Sequence, residues 1–114
     1  MTQLEIIEMI GDVLTDLDVL IGSLMPSDPN HQKLLDLRTL LDDRQRVLSR
    51  RAFDQNTAAF QQAAQQLQEI NNQMQGTLQD IDHINDAIQN VTSFLNAATS
   101  LISTVALPAL GATG

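Results

Sequence analysis

From position 60 to position 105 the chain repeats one spacing. Phe60, Ala63, Leu67, Ile70, Met74, Thr77, Ile81, Ile84, Ile88, Val91, Leu95, Ala98, Ile102 and Val105 follow one another at alternating steps of three and four. That spacing lines up one stripe on an α-helix and is foreign to the two-residue period of a strand. The stripe dictates an all-α chain in which long helices pack along apolar seams, as an antiparallel helical bundle or coiled coil.

A single helix over residues 54–105 would run about 78 Å at 1.5 Å per residue, against a gyration diameter of about 26 to 28 Å for a compact chain of this length. Two arrangements follow. Either the helix folds back at Gly76, where "GTLQ" offers a glycine C-cap and a new N-cap at Thr77, or it stays straight and is oligomeric. The seam keeps its phase through Gly76, which then lies on the outer face at a cost of about 1 kcal/mol relative to alanine. Phase continuity favours the continuous helix.

The N-terminal half reads as a helical hairpin. "TQLE" places Thr2 and Glu5 three residues apart as a capping box, followed by the seam Ile7, Ile10, Leu14, Leu17, Ile21 and Leu24. Leu4, Ile6, Val13 and Leu20 widen that face, as two neighbouring helices require. "MPSDPN" ends helix 1 (residues 1–25), and Asp28 before Pro29 opens helix 2 (29–50). Leu34, Leu37, Leu41, Val47 and Leu48 face inward there; Arg44 interrupts the seam, its stem packing and its guanidinium reaching solvent or a nearby aspartate. A two-residue phase shift between Leu48 and Phe60 demands a break, with Ser49 or Asp54 as the next N-cap. The expected organisation is one domain over 1–114: the hairpin, then residues 54–105 as a long helix or a pair broken at Gly76, then a frayed tail at 106–114.

"DAIQNVTSFLNAATSLISTVALPAL" (86–110) carries no charge after its first residue. A membrane span needs about 20 residues that are apolar on all sides. Here Ala87, Phe94 and Leu101 broaden the seam, while Gln89, Asn90, Ser93, Asn96, Ser100, Ser103 and Thr104 form a polar stripe, with Pro108 as the stop. The stretch is an amphipathic helix for burial against protein. Its polar face lacks the Lys and Arg that draw a helix to anionic lipid.

Composition narrows the function. The formal charge is -8, and all six basic residues (Lys33, Arg38, Arg44, Arg46, Arg50, Arg51) precede position 52, so a nucleic-acid partner is not expected. Without cysteine there is neither a disulfide framework nor a thiolate site. No basic n-region marks a cleavable signal, so cytoplasmic synthesis is expected, non-Sec export remaining compatible. The run "QQAAQQLQEINNQMQ" fills outer positions of the seam and reads as a solvated helix face.

Chemistry finds little purchase. In "DIDHIND", Asp80 and His83 stand three apart and Asp82 and Asp86 four apart, but the paired Glu-x-x-His motifs of a helical di-metal site are absent. Glu5 and Glu8 suit a helix N-terminus without any catalytic task. No serine has a histidine at usable spacing, and five scattered glycines make no phosphate loop. The expectation is a non-enzymatic acidic helical module without cofactor or metal, such as an adaptor, a secretion-type chaperone or an immunity-type inhibitor. It acts by helix packing and self-association, on a protein partner with a basic or apolar surface. The candidate interaction seam is Ile81, Ile84, Ile88, Val91, Phe94, Leu95, Leu101 and Ile102, and any electrostatic partner surface is expected in the C-terminal half. The alternative is a membrane-active subunit that exposes residues 87–110 on assembly.

Overall fold

The computed structural model describes residues 1–78 and 81–105, without the side chains at 81, 104 and 105. The described residues form four α-helices: α1 (Gln3–Gly22), α2 (Pro29–Arg50), α3 (Ala58–Leu78) and α4 (Ile84–Val105), with a 3-10 turn, Ile81–His83, leading into α4. The all-α bundle expected from the repeat is present. The expected tail at 106–114, Pro108 and Asp80 lie outside the described residues.

The C-terminal half is a helix pair, which corrects the preference for one straight helix. Burial explains the fold-back. A lone helix would leave Ala87, Phe94 and Leu101 in water, whereas the returned α4 buries all three completely against α3 and α2. Gly76 is not the turn: it lies inside α3, nothing beyond its own stretch of helix comes within 4 Å of where its β-carbon would stand, and the helix ends two residues later at the buried Leu78.

Helices α1, α2 and α3 each begin where a side chain can satisfy free backbone N–H groups. Thr2 Oγ1 accepts from the Glu5 N–H at 3.1 Å, and Glu5 Oε1 accepts from the Thr2 N–H at 2.8 Å, closing the capping box. Asp28 Oδ1 accepts from the Asn30 N–H at 2.9 Å ahead of Pro29. For α3 the cap is Thr57, whose hydroxyl oxygen accepts from the Phe60 N–H at 3.1 Å. Ser49 and Asp54 do other work. Ser49 stays within α2 and donates to the Gln45 carbonyl at 2.9 Å, while Asp54 builds the preceding turn through the Asn56 N–H at 3.1 Å.

The helices form two antiparallel hairpins, α1/α2 and α3/α4, laid side by side so that α2 runs along α4 and α1 along α3. Arg44 and Thr99, both toward the C-terminal ends of their helices, are hydrogen-bonded, so α2 and α4 are parallel. Of these neighbouring pairs, α1 and α3 approach least closely. The link from α2 to α3 crosses one end of the bundle, where Phe53 is buried with its ring centroid 6.3 Å from that of Phe60. Neutral amides stitch the same end: Gln3 Nε2 donates to the carbonyls of Leu48 and Arg51, and Gln61 Nε2 to that of Met1.

The core is aliphatic, with Leu34, Leu41 and Leu48 of α2 spaced by seven and fully buried. In α1 its centre is Ile6, Ile10, Val13 and Leu17; Ile7 is half-buried, and Leu4 is 63% exposed, contrary to its expected place on the apolar face. In α4 the centre is Ala87, Val91, Phe94, Ala98 and Leu101, one step round from the counted seam. A helix with two neighbours is buried over a broad face whose middle need not coincide with the narrow stripe of a two-stranded coil.

Candidate functional site

All six cations sit on α2 or at its C-cap, and each ion pair they make among the described residues is with an acid of α1 or α2. Arg38 holds Asp18 through two of its nitrogens, which raises the guanidinium pKa further, chiefly through the hydrogen bond to Asp18. Arg46 pairs with Asp42 at 2.9 Å. Arg44 meets Asp43 at 2.6 Å while its Nε donates to Thr99 Oγ1 at 2.9 Å, so its stem packs and its head reaches a neighbouring acid, as its position implied.

The opposite side of α1 has no such neutralisation. Glu5, Glu8, Asp12 and Asp16 recur at steps of three and four and therefore share one helix face. The first three line a cleft of about 250 Å³ between α1 and α3, with Met1 and Met9 beside them and Gln68 and Asn71 as the facing wall. No ion pair among the described residues reaches these four acids. Helix α3 offers only neutral amides here, several tied along its axis, as in Gln68 to Asn72 at 3.0 Å and Gln75 to Asn71 at 2.7 Å. The Glu5 carboxyl lies below the usual carboxylate range because it accepts from the Thr2 backbone N–H and then from the Thr2 hydroxyl. The cleft is thus a row of carboxylates along a helix, with the Met1 ammonium at one end, against an α3 wall that can accept or donate hydrogen bonds but adds no charge.

Other candidates come out differently. Of the expected interaction seam, Val91, Phe94 and Leu101 are fully buried, Leu95 and Ile102 almost so, and Ile84 and Ile88 are half-buried, all inside this chain's own bundle. The five buried ones cannot meet a partner while α4 is docked, whereas Ile84 and Ile88 keep part of their surface in solvent; the Ile81 side chain lies outside the described residues. The exposed side of α4 with α3 forms a shallow crease of about 400 Å³, lined by uncharged residues such as Gln66, Gln73, Asn90, Ser93 and Ser100. The crease therefore offers no charge to an electrostatic partner. Net negative charge per turn is greatest on α1, a point hidden in the sequence because the α2 cations offset it in the net charge of the N-terminal half.

His83 Nδ1 and Asp86 Oδ2 are 3.9 Å apart at the surface, and no cluster of three or more metal-ligating side chains forms among the described residues. No described helix is long and apolar enough to cross a membrane. Comparison with known proteins leaves the reading to physical argument: no family model matches the chain, and neither a curated protein nor a solved structure matches it.

Proposed function

We propose that this chain is a non-enzymatic helical module that binds another protein, and that its docking face is the acidic cleft between α1 and α3. The observation that carries the reading is the row Glu5, Glu8, Asp12 and Asp16, in no ion pair among the described residues while all six Lys and Arg side chains lie on α2 or at its C-cap. A basic amphipathic helix fits that row, with Lys or Arg at three- and four-residue steps facing the carboxylates and an apolar residue against Met9. Charge of this kind speeds encounter and sets partner choice, while the apolar contact holds the complex. A second copy is a poor occupant, since it would bring an identical acidic ridge. The case for self-association rested on a continuous helix, and the folded pair buries that face internally.

The test is capture of partners from the native host by the immobilised chain, at low and at high salt, beside the double variant Glu8→Lys/Asp12→Lys. The expected result is a basic protein whose association slows with salt and which the variant no longer retains. Retention unchanged by both salt and charge reversal removes the reading. Recovery of lipid without protein instead favours the membrane-active alternative, which requires α4 to leave the bundle and expose Phe94 and Leu101.

A further inference from the structure

We propose that Arg50-Arg51 is a processing site at which an arginine-selective endopeptidase divides the chain between its two helical hairpins. Water adds to the Arg51 carbonyl carbon, the C–N bond to Ala52 breaks, and the products end in an Arg51 carboxylate and begin with an Ala52 ammonium. Four observations converge on this bond. Arg50-Arg51 is the only pair of adjacent basic residues, and no Lys or Arg follows it in the remaining 63 positions. Arg50, Arg51 and Ala52 are all exposed. Arg51 caps α2 in an extended conformation, φ -101° and ψ 147°, the backbone shape that adds as a strand to a protease cleft. Lys33, Arg38, Arg44 and Arg46 lie inside α2, where cleavage first requires the helix to unwind.

The bond also carries a latch. The Arg51 carbonyl accepts from Gln3 Nε2 at 2.9 Å, and the same amide donates to the Leu48 carbonyl at 2.6 Å. Two residues beyond, Phe53 is buried beside Phe60. Entry into a cleft therefore requires the start of α1 to release Arg51. The cut separates a fragment with six basic and nine acidic residues from one with five acidic and no basic residues. The α2/α4 contacts hold the pieces together at high concentration, but association is then bimolecular and is lost on dilution.

Trypsin at a low ratio serves as the probe on the folded full chain, with products identified by mass. The expected first products are 1–51 and 52–114. Arg50→Ala/Arg51→Ala slows the first cut at least tenfold with the melting temperature unchanged. Gln3→Ala speeds the Arg51 cut several-fold without changing the rate at Lys33, which reports wider opening of α2. A first cut at Lys33, Arg38, Arg44 or Arg46 overturns the proposal, and equal acceleration at Lys33 and Arg51 overturns the latch. Protein recovered from the native host is expected to include chains that begin at Ala52; uncut chains throughout would overturn processing.

Discussion

Gln45 on α2 donates its side-chain amide to the carbonyl of Ile7 on α1 at 3.0 Å, crossing directly over Gly11. A β-carbon at position 11 would stand 3.2 Å from Gln45 Nε2, so the glycine keeps this interhelical bond open. Gly76 has no such neighbour, although it too lies within a helix. The two glycines therefore separate backbone propensity from packing.

Gly76→Ala is expected to raise stability by about 1 kcal/mol, the ordinary gain of alanine over glycine in a helix. Gly11→Ala makes the same propensity gain but strains the Gln45 bond, worth about 1 kcal/mol net, and should leave stability nearly unchanged. In a Gln45→Ala background the full gain at Gly11 should return. Urea melts of the four variants and the parent measure this, and equal gains at both glycines in the parent background would contradict the packing role.

A second prediction ranks the α4 seam by burial. Phe94→Ala empties a fully buried site and should cost about 3 to 5 kcal/mol. Val91→Asp places a carboxylate in the aliphatic layer and should prevent folding. Ile88→Asp should leave a folded protein of lower melting temperature, because its half-buried carboxylate can turn to water. Circular dichroism melts give the order, and unfolding by Ile88→Asp with tolerance of Val91→Asp would reverse it.

That ranking shows where the sequence was legible. Capping at Thr2 and Asp28-Pro29 and the start of α2 at position 29 follow from local chemistry, which acts within a turn of helix, while the end of α2 at position 50 follows from the phase shift between Leu48 and Phe60. The end of α3 at Leu78 does not, since "LQDIDHI" contains neither glycine nor proline and the reversal of α4 against α3 is set by the need to bury Phe94 and Leu101. For the same reason the seam count named Ile84 and Ile88 ahead of Ala87: periodicity reports the stripe, and only the arrangement of neighbours says which flank widens. The acidic cleft shares this limit. The spacing of Glu5, Glu8 and Asp12 is visible in sequence, but the neutral Gln68 and Asn71 wall is brought there by the fold.

The capping box supplies a pH prediction. The Glu5 pKa is lowered in the folded chain, so its contribution is present above the unfolded carboxylate value and is lost as pH falls through the lowered folded value. Thr2→Ala removes the hydroxyl acceptor of the Glu5 N–H and one donor to the carboxylate, and should move the Glu5 midpoint upward toward the ordinary range. A side-chain NMR titration of parent and variant reads the shift directly. An unmoved or lower midpoint would count against the box as its cause.

Arg44 and Thr99 tie the two hairpins, and the pair tests how much of that tie is polar. The Arg44 side chain is 27% exposed, so its bond to Thr99 is partly screened and Thr99→Val should cost about 1 kcal/mol rather than the larger value of a buried charged bond. Arg44→Met keeps the aliphatic stem over α4 and loses only the head, whereas Arg44→Ala loses both. The expected order of destabilisation is Arg44→Ala above Arg44→Met, with Arg44→Met close to Thr99→Val. If methionine proves as costly as alanine, the guanidinium and not the stem holds α2 to α4. Thr99→Val combined with Arg44→Met should then cost little more than either alone, because both remove the same bond.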